Sequence, residues 1–124
     1  MRKSILTIAL VVIAQTAGSD DQPDPEFARS PGDMTVEERM QMMQKARGYD
    51  ACVYTEALAQ VDDEGDIRRV ADMAMGQCEP HLEDLRTMIE GWGFNPHFAR
   101  GFMSNVRNRA ARKILPELAV RKGR

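Results

Sequence analysis

Two cysteines, two histidines and nine methionines carry most of the chemistry this 124-residue chain could offer. Cys52 and Cys78 can pair with each other or bind a soft metal. Their spacing is not Cys-x-x-Cys, so a thioredoxin-like redox motif is excluded. Met75, Cys78 and His81 recur every three residues and share one helical face. Thioether, thiolate and imidazole suit Cu(I) or Zn(II), so these three, with the Met40–Met43 cluster, define a soft-metal alternative. An oxidised cysteine cannot ligate as a thiolate, and Met and Cys at helical spacing usually fill a core. A Cys52–Cys78 disulfide is therefore the reading adopted. In Met40-Gln41-Met42-Met43, Met42 is off the face shared by Met40 and Met43, which reads as core with one methionine exposed.

No other spacing suggests catalysis. His81 and His97 lie in no nucleophile elbow, zincin helix or phosphate loop. Asp62-Asp63-Glu64-Gly65-Asp66 has the glycine one position early for an EF-hand and no closing bidentate glutamate. It reads as a solvated turn. The chain is read as non-enzymatic and without cofactor.

Charge is distributed unevenly. Residues 19–90 hold 18 acids and 7 bases, whereas residues 91–124 hold 1 acid and 8 bases. Arg100, Arg107, Arg109, Arg112 and Lys113 cluster in the basic part beside Phe98 and Phe102. An aromatic stripe flanked by cations suits an acidic protein partner, or an anionic membrane surface. The competing expectation is that Phe98 and Phe102 pack inside and the cations face water. An exported chain with an acidic body is a poor candidate for nucleic acid.

Export is inferred from the first 18 residues: Arg2 and Lys3, an apolar run from Ile5 to Ala14, then small residues to Gly18. This is the layout of a secretory signal peptide, and the run is shorter than the roughly 20 residues needed to span a membrane. The address is periplasmic or secreted. An even cysteine count in a small exported chain favours a disulfide.

The elements that must position these residues are helical. Residues 19–33, rich in Asp, Pro, Ser and Gly, read as a disordered acidic arm with Phe27 as its one docking residue. Thr35 and Glu38 fit a capping box that opens a helix. Val36, Met40, Met43, Ala46, Tyr49, Val53, Ala57 and Val61 form its apolar face. After the acidic turn, Asp66 caps a second segment. There Ile67, Val70, Ala71, Ala74, Cys78, His81 or Leu82, Leu85, Met88, Ile89 and Trp92 keep phase for seven turns, with Pro80 as a kink or a junction between two coaxial helices. Cys52 lies 12 residues before Glu64 and Cys78 lies 14 after it. At 1.5 Å rise per residue, antiparallel helices bring them within about 3 Å of one height.

A third helix starts at Pro96 with Asn95 as cap, carries Phe98, Phe102, Met103, Val106, Ala110 and Ile114 on its stripe, and ends or bends at Pro116. The fold class is all-α: a disulfide-closed hairpin plus a basic amphipathic helix, one domain over 34–119, with a frayed basic tail at 120–124.

Met34-Thr35-Val36-Glu37-Glu38 resembles the Leu-Thr-x-x-Gln motif of the CpxP/Spy-type periplasmic stress proteins, differing at Met34 and Glu38. The resemblance covers five residues and implies a chaperone-like periplasmic role.

Overall fold

The structure, a computed structural model, describes residues 27–123. The expected leader and residues 19–26 of the expected arm lie outside them. Over the described residues the fold is all-α, as expected, with four α-helices: α1 (Val36–Gln60), α2 (Ile67–Gln77), α3 (Glu79–Gly91) and α4 (Pro96–Lys122).

Helix α1 starts where its caps require. The Glu38 amide donates to Thr35 Oγ1 (3.1 Å), and the Thr35 amide donates to Glu38 Oε2 (2.9 Å). Two amides left open by the first turn are thereby satisfied. Met42, Ala46, Tyr49, Val53 and Ala57 form the buried face. The first turns differ from expectation: Met42 points inward, while Val36 and Met40 are 71% and 65% exposed. From Ala46 a step of four leads to Met42 and a step of three to Met43. Both are helical, and packing selects the former.

Asp66 caps α2 by accepting from the Arg68 amide (3.0 Å). The descending path then breaks at Cys78, which ends α2 and caps α3 with φ −90° and ψ 0°. This explains the tolerance of Pro80. It stands second in α3, where the amide it lacks would have no helical partner. Phase survives the break: Val70, Ala71, Ala74, Cys78, Leu82, Leu85 and Ile89 are all buried.

The chain reverses through Trp92–Asn95. Gly93 has φ 87°, a left-handed conformation open to glycine. Phe94 is fully buried beneath it. Asn95 caps α4 by accepting from the His97 amide (2.7 Å). The α4 stripe also differs from expectation. Ala99, Met103, Val106, Ala110, Ile114 and Leu118 are buried, whereas Phe98 and Phe102 are half-buried against the core edge. Pro116 is on the exposed side and does not end the helix, which runs on through Lys122. Residues 120–122, expected to fray, belong to α4.

The result is an up–down–up bundle of three legs, α1, then α2 followed by α3, then α4, each packed against the other two. Ion pairs Asp50–Lys113 (3.5 Å) and Asp62–Arg121 (3.7 Å) show that α1 and α4 run parallel. Cys52 and Cys78 are joined, with Cα atoms 5.9 Å apart. The bond ties α1 to the α2–α3 junction.

Residues 29–33 are ordered, against the expectation of a disordered arm. Arg29, not Phe27, makes the dock. Its guanidinium donates to both Glu38 carboxylate oxygens (2.7 and 2.9 Å), to the Trp92 carbonyl (2.9 Å) and to the Asp33 carbonyl (2.8 Å). It also lies 4.3 Å from the Phe94 ring centroid, a cation–π distance. The Arg29 amide donates to the Gly93 carbonyl (3.1 Å). One side chain thus fastens the entering segment to the start of α1 and to the α3–α4 turn.

Candidate functional site

Helix α4 positions the cations, and they divide into two groups. Arg107 is half-buried and makes a bidentate pair with Glu79 of α3. Lys113 reaches Asp50, and Arg121 reaches Asp62. These three hold α4 to its neighbours. Arg100, Arg109 and Arg112 are exposed and form no ion pair among the described residues.

The aromatic residues form a ladder. Trp92 meets Phe94 edge-on at 6.5 Å, Phe94 meets Phe98 at 5.8 Å, and Phe98 meets Phe102 at 6.5 Å. The ladder runs from the buried turn outward along α4. Phe102, half-buried, is its outer end, and there it lines a hollow of about 210 Å³ with Asn105, Val106, Arg109 and Arg112. Residues 98, 102, 105, 109 and 112 recur at steps of four and three, which places them on one stripe beside the core face. The stripe is aromatic at its N-terminal end and cationic at its C-terminal end. Arg100 lies off it.

A second surface feature lies between α1 and α4. Val53, Ala110 and Ile114 line a cleft of about 410 Å³ together with Asp50, Ala51, Tyr54, Lys113 and Glu117. A neighbouring hollow of about 380 Å³ shares Tyr54 and Glu117 and adds Leu58, Asp62, Val120 and Arg121. The two form one groove along the parallel helices. Tyr54 and Val120, two of the most exposed large apolar residues, stand on its walls at 50% and 55% exposure.

The soft-metal alternative loses its thiolate. Cys78 is fully buried and bonded to Cys52, Met75 is half-buried against the core, and His81 is exposed. His81 instead borders a shallow hollow with Gly48, Lys45 and Met88. Among the described residues no three His, Cys, Asp or Glu side chains are grouped to hold a metal ion. No helix among them is long and apolar enough to cross a membrane.

Two titrating groups, Glu38 and Tyr49, are displaced far from their ordinary ranges. Glu38 is held down to about 2, first by the Arg29 guanidinium and then by the Thr35 amide. Tyr49 is pushed up to about 12, chiefly by burial and further by the Glu79 carboxylate. The Tyr49 hydroxyl has no hydrogen-bond partner and its residue is fully buried.

Sequence reasoning missed Arg29 and the α1–α4 groove. A lone arginine in a Pro- and Asp-rich stretch has no periodicity to mark it. The groove had a partial signal: Asp50, Tyr54, Leu58 and Asp62 recur every four residues on α1. Comparison with protein-family models, curated proteins and solved structures finds no match to this chain, so the geometry alone bears on function.

Proposed function

We propose that this chain is an exported, non-enzymatic interaction protein whose working surface is the outer stripe of α4, and that its partner is an acidic protein segment. The observation that carries this reading is the division among the α4 cations. Arg107, Lys113 and Arg121 are committed to acids of the bundle, whereas Arg109 and Arg112 are left facing water around the half-buried Phe102. Arginine beside an aromatic ring supplies planar, bidentate recognition of carboxylates with an apolar anchor next to it. The leader-like N-terminus and the disulfide support an exported setting.

The test is binding of a fluorescent peptide that carries Asp and Glu around a Leu or Phe. Saturable binding that weakens with salt is expected, because exposed charges are screened within about 8–10 Å at physiological ionic strength. Arg109→Glu with Arg112→Glu should abolish binding and leave the helical circular dichroism unchanged. Phe102→Ala should weaken it. Co-sedimentation with phosphatidylglycerol vesicles, without peptide binding, would overturn the protein-partner reading in favour of a membrane surface. Absence of both would overturn the interaction surface itself.

A further inference from the structure

We propose that the acidic segment of residues 19–26 is the resident occupant of the α4 stripe, docked on it within the same chain, so that an acidic partner must displace it to bind. This rests on the reading of the stripe as a carboxylate-binding surface and names its first ligand.

The segment enters beside the stripe. The described residues begin at Phe27, and Arg29 is already fixed to the turn that opens α4. Its amide donates to the Gly93 carbonyl (3.1 Å), and its guanidinium lies 4.3 Å from the Phe94 ring centroid. From that ring the aromatic ladder leads outward, 5.8 Å to Phe98 and a further 6.5 Å to Phe102. Arg109 and Arg112 follow seven and ten residues later, about 10 and 15 Å along the helix, so Arg109 stands within roughly 27 Å of the Arg29 dock. Asp20 precedes Arg29 by nine residues. At about 3.3 Å per residue an extended chain of that length spans about 30 Å. The segment is therefore long enough to bring Asp24 to the phenylalanines and Asp20 and Asp21 to the arginines.

Charge selects this path over its neighbours. Residues 19–26 hold Asp20, Asp21, Asp24 and Glu26 and no base. Helix α1 starts beside the same dock but carries four acids and three bases, and α3 carries four acids and one base. That one base, Arg86, is paired with Glu83 and Glu90. Helix α4 carries seven bases and one acid. Its exposed Arg109 and Arg112 make no ion pair among the described residues, which leaves them open to carboxylates. The Arg29 dock makes the encounter intramolecular. On a short tether the effective concentration reaches the millimolar range, so a pairing that is weak between separate chains is populated within one.

The test compares the oxidised full chain, purified from the exported fraction, with the same chain carrying Asp20→Asn, Asp21→Asn and Asp24→Asn together. The probe is the fluorescent acidic peptide described above. Neutralising the segment should tighten peptide binding by at least about tenfold, as for a stripe that is open in a tenth or less of the unaltered molecules. A control with Asp63→Asn, Asp72→Asn and Asp84→Asn removes the same charge at exposed acids that make no ion pair among the described residues. It should leave the affinity within about threefold, since distant exposed charges are screened. A second readout needs no peptide. The side-chain Nε–Hε NMR signals of Arg109 and Arg112 should shift when the segment is neutralised, while those of Arg39 and Arg47 on α1 stay in place. Signals that shift while the peptide binds neither chain would support the docked segment and overturn only the acidic-partner reading. Signals and affinity both unmoved, with the peptide bound, would overturn the docked segment and leave that reading standing. Equal tightening by the control would overturn the docked segment too. So would Arg109 and Arg112 signals that change on dilution, which would assign the segment to a second copy.

Discussion

Removing the disulfide is the perturbation whose cost can be worked most directly from the structure. Cys52 and Cys78 are 26 residues apart. Closing a loop of that length removes roughly 12 cal/mol/K from the unfolded chain, or about 3.5 kcal/mol at 25 °C, by the chain-entropy estimate. A domain of about 100 residues unfolds with an entropy near 0.2 kcal/mol/K, so the melting temperature should fall by about 17 °C. Packing changes the figure little. Cys78 is fully buried but Cys52 is half-buried, so Cys52→Ala with Cys78→Ala empties one small buried site. The assay is thermal unfolding followed by circular dichroism at 222 nm, for the oxidised chain, the chain with reductant and the double alanine variant. Reductant should lower the oxidised chain to the level of the variant and leave the variant unmoved. A loss under about 3 °C would refute the loop-entropy reasoning. It would mean that the unfolded chain already keeps the hairpin together.

Three further outcomes are expected. Tyr49→Phe should be neutral or stabilising, by up to about 1–2 kcal/mol in denaturant unfolding, because the hydroxyl it removes is buried without a partner; a clear loss would show that the hydroxyl is bonded. The Arg29 latch should open in acid: Glu38 titrates at about 2 in the folded chain, below its usual 4.5, so its stabilising contribution is whole above pH 4.5 and is lost as pH falls through 2. Emission of the single tryptophan, Trp92, should report this, and Glu38→Gln should remove the transition, which an identical acid profile in the variant would contradict. Pro116→Ala should stabilise by about 1–3 kcal/mol, since it restores an amide to the interior of α4; a lower melting temperature would mark the proline as favourable where it stands.

The hairpin is legible in the sequence because three local patterns agree: the Thr35–Glu38 box, the acidic turn capped by Asp66, and cysteines at matching heights. Each depends on a few neighbouring residues and on fixed helical rise. The errors arise where periodicity permits two answers. Met42 and Met43 are both one turn before Ala46, and only tertiary packing decides between them. On α4 the large rings draw the stripe toward Phe98 and Phe102, yet the residue fully buried there is Ala99, whose small side chain leaves room for the neighbouring helix. Pro116 reads as a stop because its missing amide counts in an isolated helix, whereas a helix anchored by Leu118 continues past it. The Arg29 contacts to Trp92 and Phe94 cross more than sixty residues and leave no trace in local spacing. Of the proposed sites, the basic stripe is visible as composition, while its division into committed and uncommitted arginines requires the partners' positions.

The break at Cys78 has a consequence for the order of assembly. Everything the disulfide closes lies within α1, the acidic turn and α2, and these contacts join residues close along the chain. Short-range contacts form first, since little loop entropy opposes them. The pair of helices can therefore be sealed before α4 has any binding surface to find. Helix α4 then arrives on a template already fixed, through contacts such as Lys113 with Asp50 that span 63 residues. The Arg29 latch can engage only once α3 has delivered Trp92 and Phe94 to the turn it grips. Folding is thereby given a direction, with the covalent tie closing local contacts and the docking of α4 and the arginine clasp both following it.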